Sequence, residues 1–134
     1  MRRSIAAELA GAVDSEAPRE ERASAAAAIV RDGGAFRNVR IYDVGDEYIV
    51  LIGYAGSTDS SQQRLTVTAG PNADAATTRD TVLTGSEAVV PILGAESGVV
   101  IGTLDADGDR SRGISPEDVA FLEDCAALLR PLYD

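Results

Sequence analysis

The sequence predicts a single α/β domain of the α+β kind, with antiparallel strand pairs and helices at both ends of the chain. Three observations predict it. First, two apolar runs of strand length, V-V-P-I-L and V-V-I-G-T-L, flank a turn that carries Gly94 and Gly98, which is the pattern of a hairpin. Second, a helix start follows: Ser115 suits the N-cap, Pro116 the first helical position, and Asp118 the third residue of a capping box. Third, helical patterns open the chain and stop at Gly33-Gly34.

The elements follow in order. Residues 4–13 place Ile5, Leu9 and Val13 on one helical face. Residues 14–17 break that helix, and Pro18 restarts one that runs to about Arg31. Its run Ala25 to Ala28 has high helix propensity and permits close approach of another element. Gly33-Gly34 then serve as C-cap glycines. Residues 38–44 and 47–54 form a hairpin around Gly45-Asp46. Strict alternation puts Ile49, Leu51 and Gly53 on one side, and Tyr48, Val50, Ile52 and Tyr54 on the other. Residues 56–61 read as a polar loop, 64–69 as an alternating third strand, 70–79 as a loop with one helical turn, and 81–83 as a short strand. The last helix is expected over 116–133, about 27 Å long. It carries two apolar stripes, Val119-Leu122-Ala126-Leu129 and Phe121-Cys125-Leu128-Leu132. One can cover the sheet. The other requires the N-terminal helices or a second subunit.

Composition limits the function classes. The chain has 134 residues, 45% of them apolar, enough for one core, but only two Phe, four Tyr and no Trp. No apolar run approaches membrane-spanning length, and no signal-peptide core follows the basic start, so a soluble cytoplasmic protein is expected. The net charge of −10 argues against nucleic acid as a partner. All twelve basic residues are Arg; both GC-rich coding and a halophile-like acidic surface account for this. Without His there is no Ser-His-Asp triad and no imidazole ligand; without Lys there is no Schiff base and no complete Walker A motif. The single cysteine, Cys125, excludes an intrachain disulfide and reads as a small buried apolar residue. No cofactor and no metal are expected.

The succession V-V-P-I, turn, V-V-I-G-T-L-D, then I-S-P-E-D-V-A-F-L-E resembles the C-terminal half of a GAF domain. The resemblance extends from about Arg19 onward and divides the chain into an N-terminal helix and linker, 1–18, and a GAF-like domain, 19–134. It implies a six-stranded antiparallel sheet with the terminal helices on one face and a small-molecule pocket on the other. Within the family, the free methionine-R-sulfoxide reductases are similar in pattern. They place Ser-Glu before an aliphatic-Val-Pro strand and Leu-Asp-x-Asp at the end of the next, matched here by Ser86-Glu87 and Leu104-Asp105-Ala106-Asp107. The resemblance implies that Glu87, Asp105 and Asp107 line a pocket and hold an amino acid's ammonium group. The reductase cysteines are missing: the position seven residues before the glutamate is Asp80.

Other pocket candidates implied by the resemblance are Tyr54, Thr66, Thr68 and Arg79, with Asn72, Thr77 and Thr78. Arg79 has the planar fork that suits a ligand carboxylate. The three acids also read as a solvated strand end. Asp107, Asp109, Ser111, Ile114, Ser115 and Asp118 fall at EF-hand-like positions, but Arg112 stands where glycine is needed and Asp118 where glutamate is. The expected function is a non-catalytic small-molecule-binding sensor that forms a homodimer through its terminal helices. The alternatives are a divergent enzyme related to the reductase and a pure dimerisation module.

Overall fold

In a computed structural model of the chain, residues 1–57, 63–95, 98–109 and 111–134 are described. Strands β1 (Asn38–Val44), β2 (Tyr48–Gly56), β3 (Arg64–Thr66), β4 (Val82–Thr84), β5 (Glu87–Leu93) and β6 (Val100–Asp107) form one sheet. Its order is β3-β2-β1-β6-β5-β4, and every neighbouring pair is antiparallel. The helices are α1 (Arg3–Asp14), α2 (Arg19–Gly34), α3 (Pro71–Thr78) and α4 (Pro116–Leu128), followed by a 3₁₀ turn over Arg130–Tyr133. Side chains of α1, α2 and α4 share one core with Val39, Ile41, Leu104 and Ala106 of the sheet. On the opposite face α3 lays Ala73 against Tyr42 and Ile49.

The alanines of α2 let it lie almost on the sheet. Ala23, Ala26 and Ala27 are fully buried, and a Cβ added to Gly53 of β2 would stand 2.5 Å from the Ala23 carbonyl carbon. Ile5, Leu9 and Val13 of α1 belong to the same core. Arg22 fixes the link between the two helices by donating to Val13 O at 2.8 Å and Ala17 O at 3.0 Å. The terminal stripes are therefore covered within one chain: Leu122, Cys125, Ala126, Leu129 and Leu132 are buried, and Phe121 and Leu128 pack on the core from its margin. Of the two covers expected for the second stripe, the N-terminal helices supply one: both α1 and α2 contact α4 and the turn after it.

Five expectations about the elements are corrected. Gly33 and Gly34 lie inside the last turn of α2, and the left-handed residue after it is Ala35, at φ 55°. The glycines are needed for space: a Cβ on Gly34 would strike the Phe36 ring, and one on Gly33 would press on Ile5 and Phe121. The final helix stops at Leu128 because Pro131 has no N–H and its ring crowds the preceding turn. The expected helical turn after Asn72 is a full helix, whereas the third strand is three residues long. Finally, β2 contains a bulge: Ile41 pairs with Gly53 but Tyr42 pairs with Leu51. The extra residue, Ile52, reverses the alternation beyond it. Gly53 therefore faces the helices, and Tyr54 turns to the α3 side opposite Arg40.

The helix start at Ser115 is as the sequence predicts. Ser115 Oγ accepts from the Asp118 N–H at 3.1 Å, and Asp118 Oδ2 accepts from the Ser115 N–H at 2.9 Å.

Candidate functional site

On the α3 side of the sheet, the two-residue repeat of β6 aligns Thr103, Asp105 and Asp107. The neighbouring strands complete the set, since Glu87 of β5 lies opposite Asp107 and Arg40 of β1 lies opposite Asp105. From above, Gly70 takes φ 103° and Pro71 opens α3, which brings Asn72 down onto the strands. Arg40, Asn72, Glu87, Asp105 and Asp107 together line a cavity of about 500 Å³. The three acids singled out in the sequence are thus in one place.

Asp105 is the deepest of them, with 2% of its surface exposed. Thr103 Oγ1 donates to Asn72 Oδ1 at 2.6 Å, and Asn72 Nδ2 donates to Asp105 Oδ2 at 3.0 Å, all within buried surroundings. Among the described residues, no N–H or hydroxyl donates to the other oxygen, Asp105 Oδ1, or to the buried Asp107 Oδ1, and Asp105 pairs instead with the Glu87 carboxyl. Arg40 Nη1 stands 4.0 Å from Asp105 Oδ1 and 3.6 Å from Asp107 Oδ1, near enough for charge but not for a bond. Burial, and then the adjacent Glu87 carboxyl, hold Asp105 well above the usual carboxylate range; the Asn72 bond and Arg40 pull the other way. Two carboxyls side by side in a poorly solvated site favour a proton shared between them. Burial, with Asp105 second, also pushes the Tyr42 hydroxyl up. The arrangement can bind a cation, with Asp107 Oδ1 as an acceptor that no described residue serves. Among the described residues, no cluster of three or more acidic, His or Cys side chains is set to hold a metal ion.

No family model matches the sequence, and no curated protein does. Solved structures do match. The GAF domain of an Acinetobacter phosphoenolpyruvate-protein phosphotransferase is 14% identical and superimposes with a TM-score of 0.82 over 98% of this chain and 93% of its own. This chain has the GAF fold. The free methionine-R-sulfoxide reductase of Neisseria meningitidis, solved in complex with its substrate, is similar at 21% identity and TM-score 0.80, over 98% of this chain and 87% of that one. The type II enzyme of Thermoplasma acidophilum is 22% identical at TM-score 0.76, over 85% and 90%. A GAF domain and two free methionine-R-sulfoxide reductases thus share the fold seen here.

On this GAF fold the other predicted residues scatter. Tyr54 does not line the cavity but stands behind it: its hydroxyl donates to Asn38 Oδ1 at 2.9 Å, and its ring lies 5.9 Å from the Arg40 guanidinium. Thr66 and Thr68 are exposed, bond to each other at 3.1 Å, and do not line the cavity. Arg79 ends α3 in a left-handed conformation, φ 62°, and lines a different, 260 Å³ groove between β5 and α4, beside Asp80 and Arg130. It is separate from the three acids. Of the calcium-like positions, Asp109 accepts from Ser111 and Arg112, and Asp118 is held by the helix cap and Arg112. Local bonds therefore occupy these carboxylates. Cys125 is buried on the helix side of the sheet, and burial pushes its thiol up to about 12.

Sequence reasoning missed Arg40. Only the pairing of β1 with β6 reveals it, and that pairing joins distant segments.

Proposed function

We propose that this chain is a non-catalytic GAF domain of the cytoplasm, a sensor or regulatory module that takes an amino acid or another amine in its acidic cavity. One observation carries the reading: Glu87, Asp105 and Asp107 converge on a 500 Å³ cavity, where the buried Asp107 Oδ1 accepts no hydrogen bond among the described residues. A buried acceptor left unpaired costs free energy, and an ammonium group supplies three donors and the opposite charge. A cavity of this size suits a small molecule. The test is a thermal-shift and titration screen of amino acids and amines on wild type and Glu87→Gln. The substitution is expected to weaken binding without lowering the melting temperature, and unchanged affinity overturns the reading.

The enzymatic alternative lacks the cysteines of the reductases. Cys125 is a buried thiol held protonated, on the far side of the sheet from the acids. Turnover of free methionine sulfoxide above that of Cys125→Ala would restore it. The homodimer through the terminal helices is no longer required by their stripes, which one chain covers. Sedimentation at tens of micromolar tests it directly: equal masses near that of one chain for wild type and Leu128→Asp remove it. The halophile-like surface belongs to the same reading and is tested by the salt dependence given below.

A further inference from the structure

The polar groups around the cavity are of two kinds, and only one has been given a use. The acids keep acceptors to spare: Glu87 Oε1 accepts from Thr84 Oγ1 at 3.2 Å and Asp105 Oδ2 from Asn72, but the buried Asp107 Oδ1 accepts from no described residue. Arg40 lacks acceptors: its guanidinium carries five N–H donors, yet among the described residues it makes two ion pairs, at 3.6 and 4.0 Å, and no side-chain hydrogen bond. Its side chain is 17% exposed, and none of its nitrogens is both buried and without a partner, so its donors stay open to solvent or to a ligand. The Tyr54 ring beneath it, itself anchored on Asn38, restricts where the guanidinium can go. An arginine placed only to neutralise Asp105 and Asp107 would be expected to close on them as a bidentate pair below 3 Å. This one stands back, at the rim of the same cavity.

We infer that Arg40 is the specificity-determining residue of this cavity: it receives the carboxylate of the ligand while Glu87 and Asp107 receive the ammonium. The inference rests on the binding reading above and divides its two ligand classes. A plain amine satisfies the acids alone and leaves the guanidinium as it is. It also brings a second positive charge beside Arg40. An amino acid satisfies both kinds of group, and its carboxylate offsets that repulsion. The planar fork of arginine fits a carboxylate through two parallel bonds, which a point charge does not reproduce.

The experiment pairs each amino acid with its own decarboxylation product: alanine with ethylamine, valine with isobutylamine, tyrosine with tyramine, histidine with histamine. Affinities are read from amide chemical shifts of the isotopically labelled protein, for wild type, Arg40→Gln, Arg40→Lys and Glu87→Gln. Wild type is expected to prefer the amino acid of at least one pair by about tenfold or more, the size of a charged hydrogen-bonded contact. Arg40→Gln is expected to abolish that preference while leaving the amine as strongly bound or stronger, and Arg40→Lys to restore part of it. Equal preference in wild type and Arg40→Gln overturns the role of Arg40, as does a wild type that binds amine and amino acid alike. If both compounds bind and Glu87→Gln weakens both, the acidic-pocket reading survives that failure. If wild type binds neither member of any pair, both fall. Unchanged amide spectra away from the cavity confirm that each variant is folded.

Discussion

Asn72 Nδ2 donates to Asp105 Oδ2 at 3.0 Å, and this bond fastens α3 to the strand that carries two of the three pocket acids. Because Asn72 also accepts from Thr103, both ends of its amide are used. Asn72→Ala is expected to destabilise the fold by about 1–3 kcal/mol, since it leaves buried polar groups on β6 without partners. Chemical denaturation measures the loss. Asn72→Asp is expected to cost more at neutral pH than at pH 4, because it sets a second carboxyl against Asp105.

The raised affinity of Asp105 for its proton fixes the sign of a pH effect. Between the ordinary carboxylate range and the raised native value, the folded state binds more protons than the unfolded one. Stability then falls as pH rises through that window. Asp105→Asn, which resembles the protonated acid in shape, is expected to flatten this part of the profile and to be more stable than wild type at neutral pH, by about 1 kcal/mol. A variant profile parallel to wild type refutes the assignment.

Gly53→Ala is expected to destabilise by about 1–3 kcal/mol through overpacking. The added carbon meets Ala23 backbone atoms, so shrinking that side chain does not relieve it. The double variant Gly53→Ala, Ala23→Gly is therefore expected to be no better than the single one by thermal melting.

Ser115→Ala removes the acceptor of the Asp118 N–H and is expected to cost about 1 kcal/mol while leaving ligand binding intact.

Salt should stabilise this protein. Its net charge of −10 repels itself across the surface, and added ions screen that repulsion. Raising NaCl from 0.05 to 2 M is expected to lift the melting temperature by roughly 3–6 °C. A flat or falling curve removes the halophile-like reading.

What the sequence made legible was local. The Ser115 cap, the β5–β6 pair and the stripes of α1 and α4 all rest on residues a few positions apart. The alignment of Asp105 with Asp107 required only the period of a strand, and Glu87 joined them through the family pattern. The bulge at Ile52 was not legible, because an extra residue in a strand leaves no mark in an apolar run. Gly33-Gly34 looked like a helix stop, but steric room for Phe36 and Ile5 explains them. Thr66, Thr68 and Arg79 were assigned by analogy; their positions depend on where a three-residue strand ends and how α3 tilts. Arg40 depends on which strand lies beside β1, a matter of topology.

That topology has a consequence for how the protein becomes competent. The sheet consists of two meanders, β1-β2-β3 and β4-β5-β6, joined along a single seam where residues 38–43 meet 102–107. Each meander closes short loops and can zip early; the seam closes a long one and is expected to form late. Arg40 lies on one side of it and the acids on the other. A chain with both meanders formed but undocked has all the strands and lacks the acidic cavity. During synthesis, β1 leaves the ribosome with an unpaired edge that waits for the last strand, a hazard for pairing with other chains. On the proposed reading, a ligand that bridges Arg40 and Asp107 would act as a clasp on the seam, expected to slow unfolding more than it speeds folding.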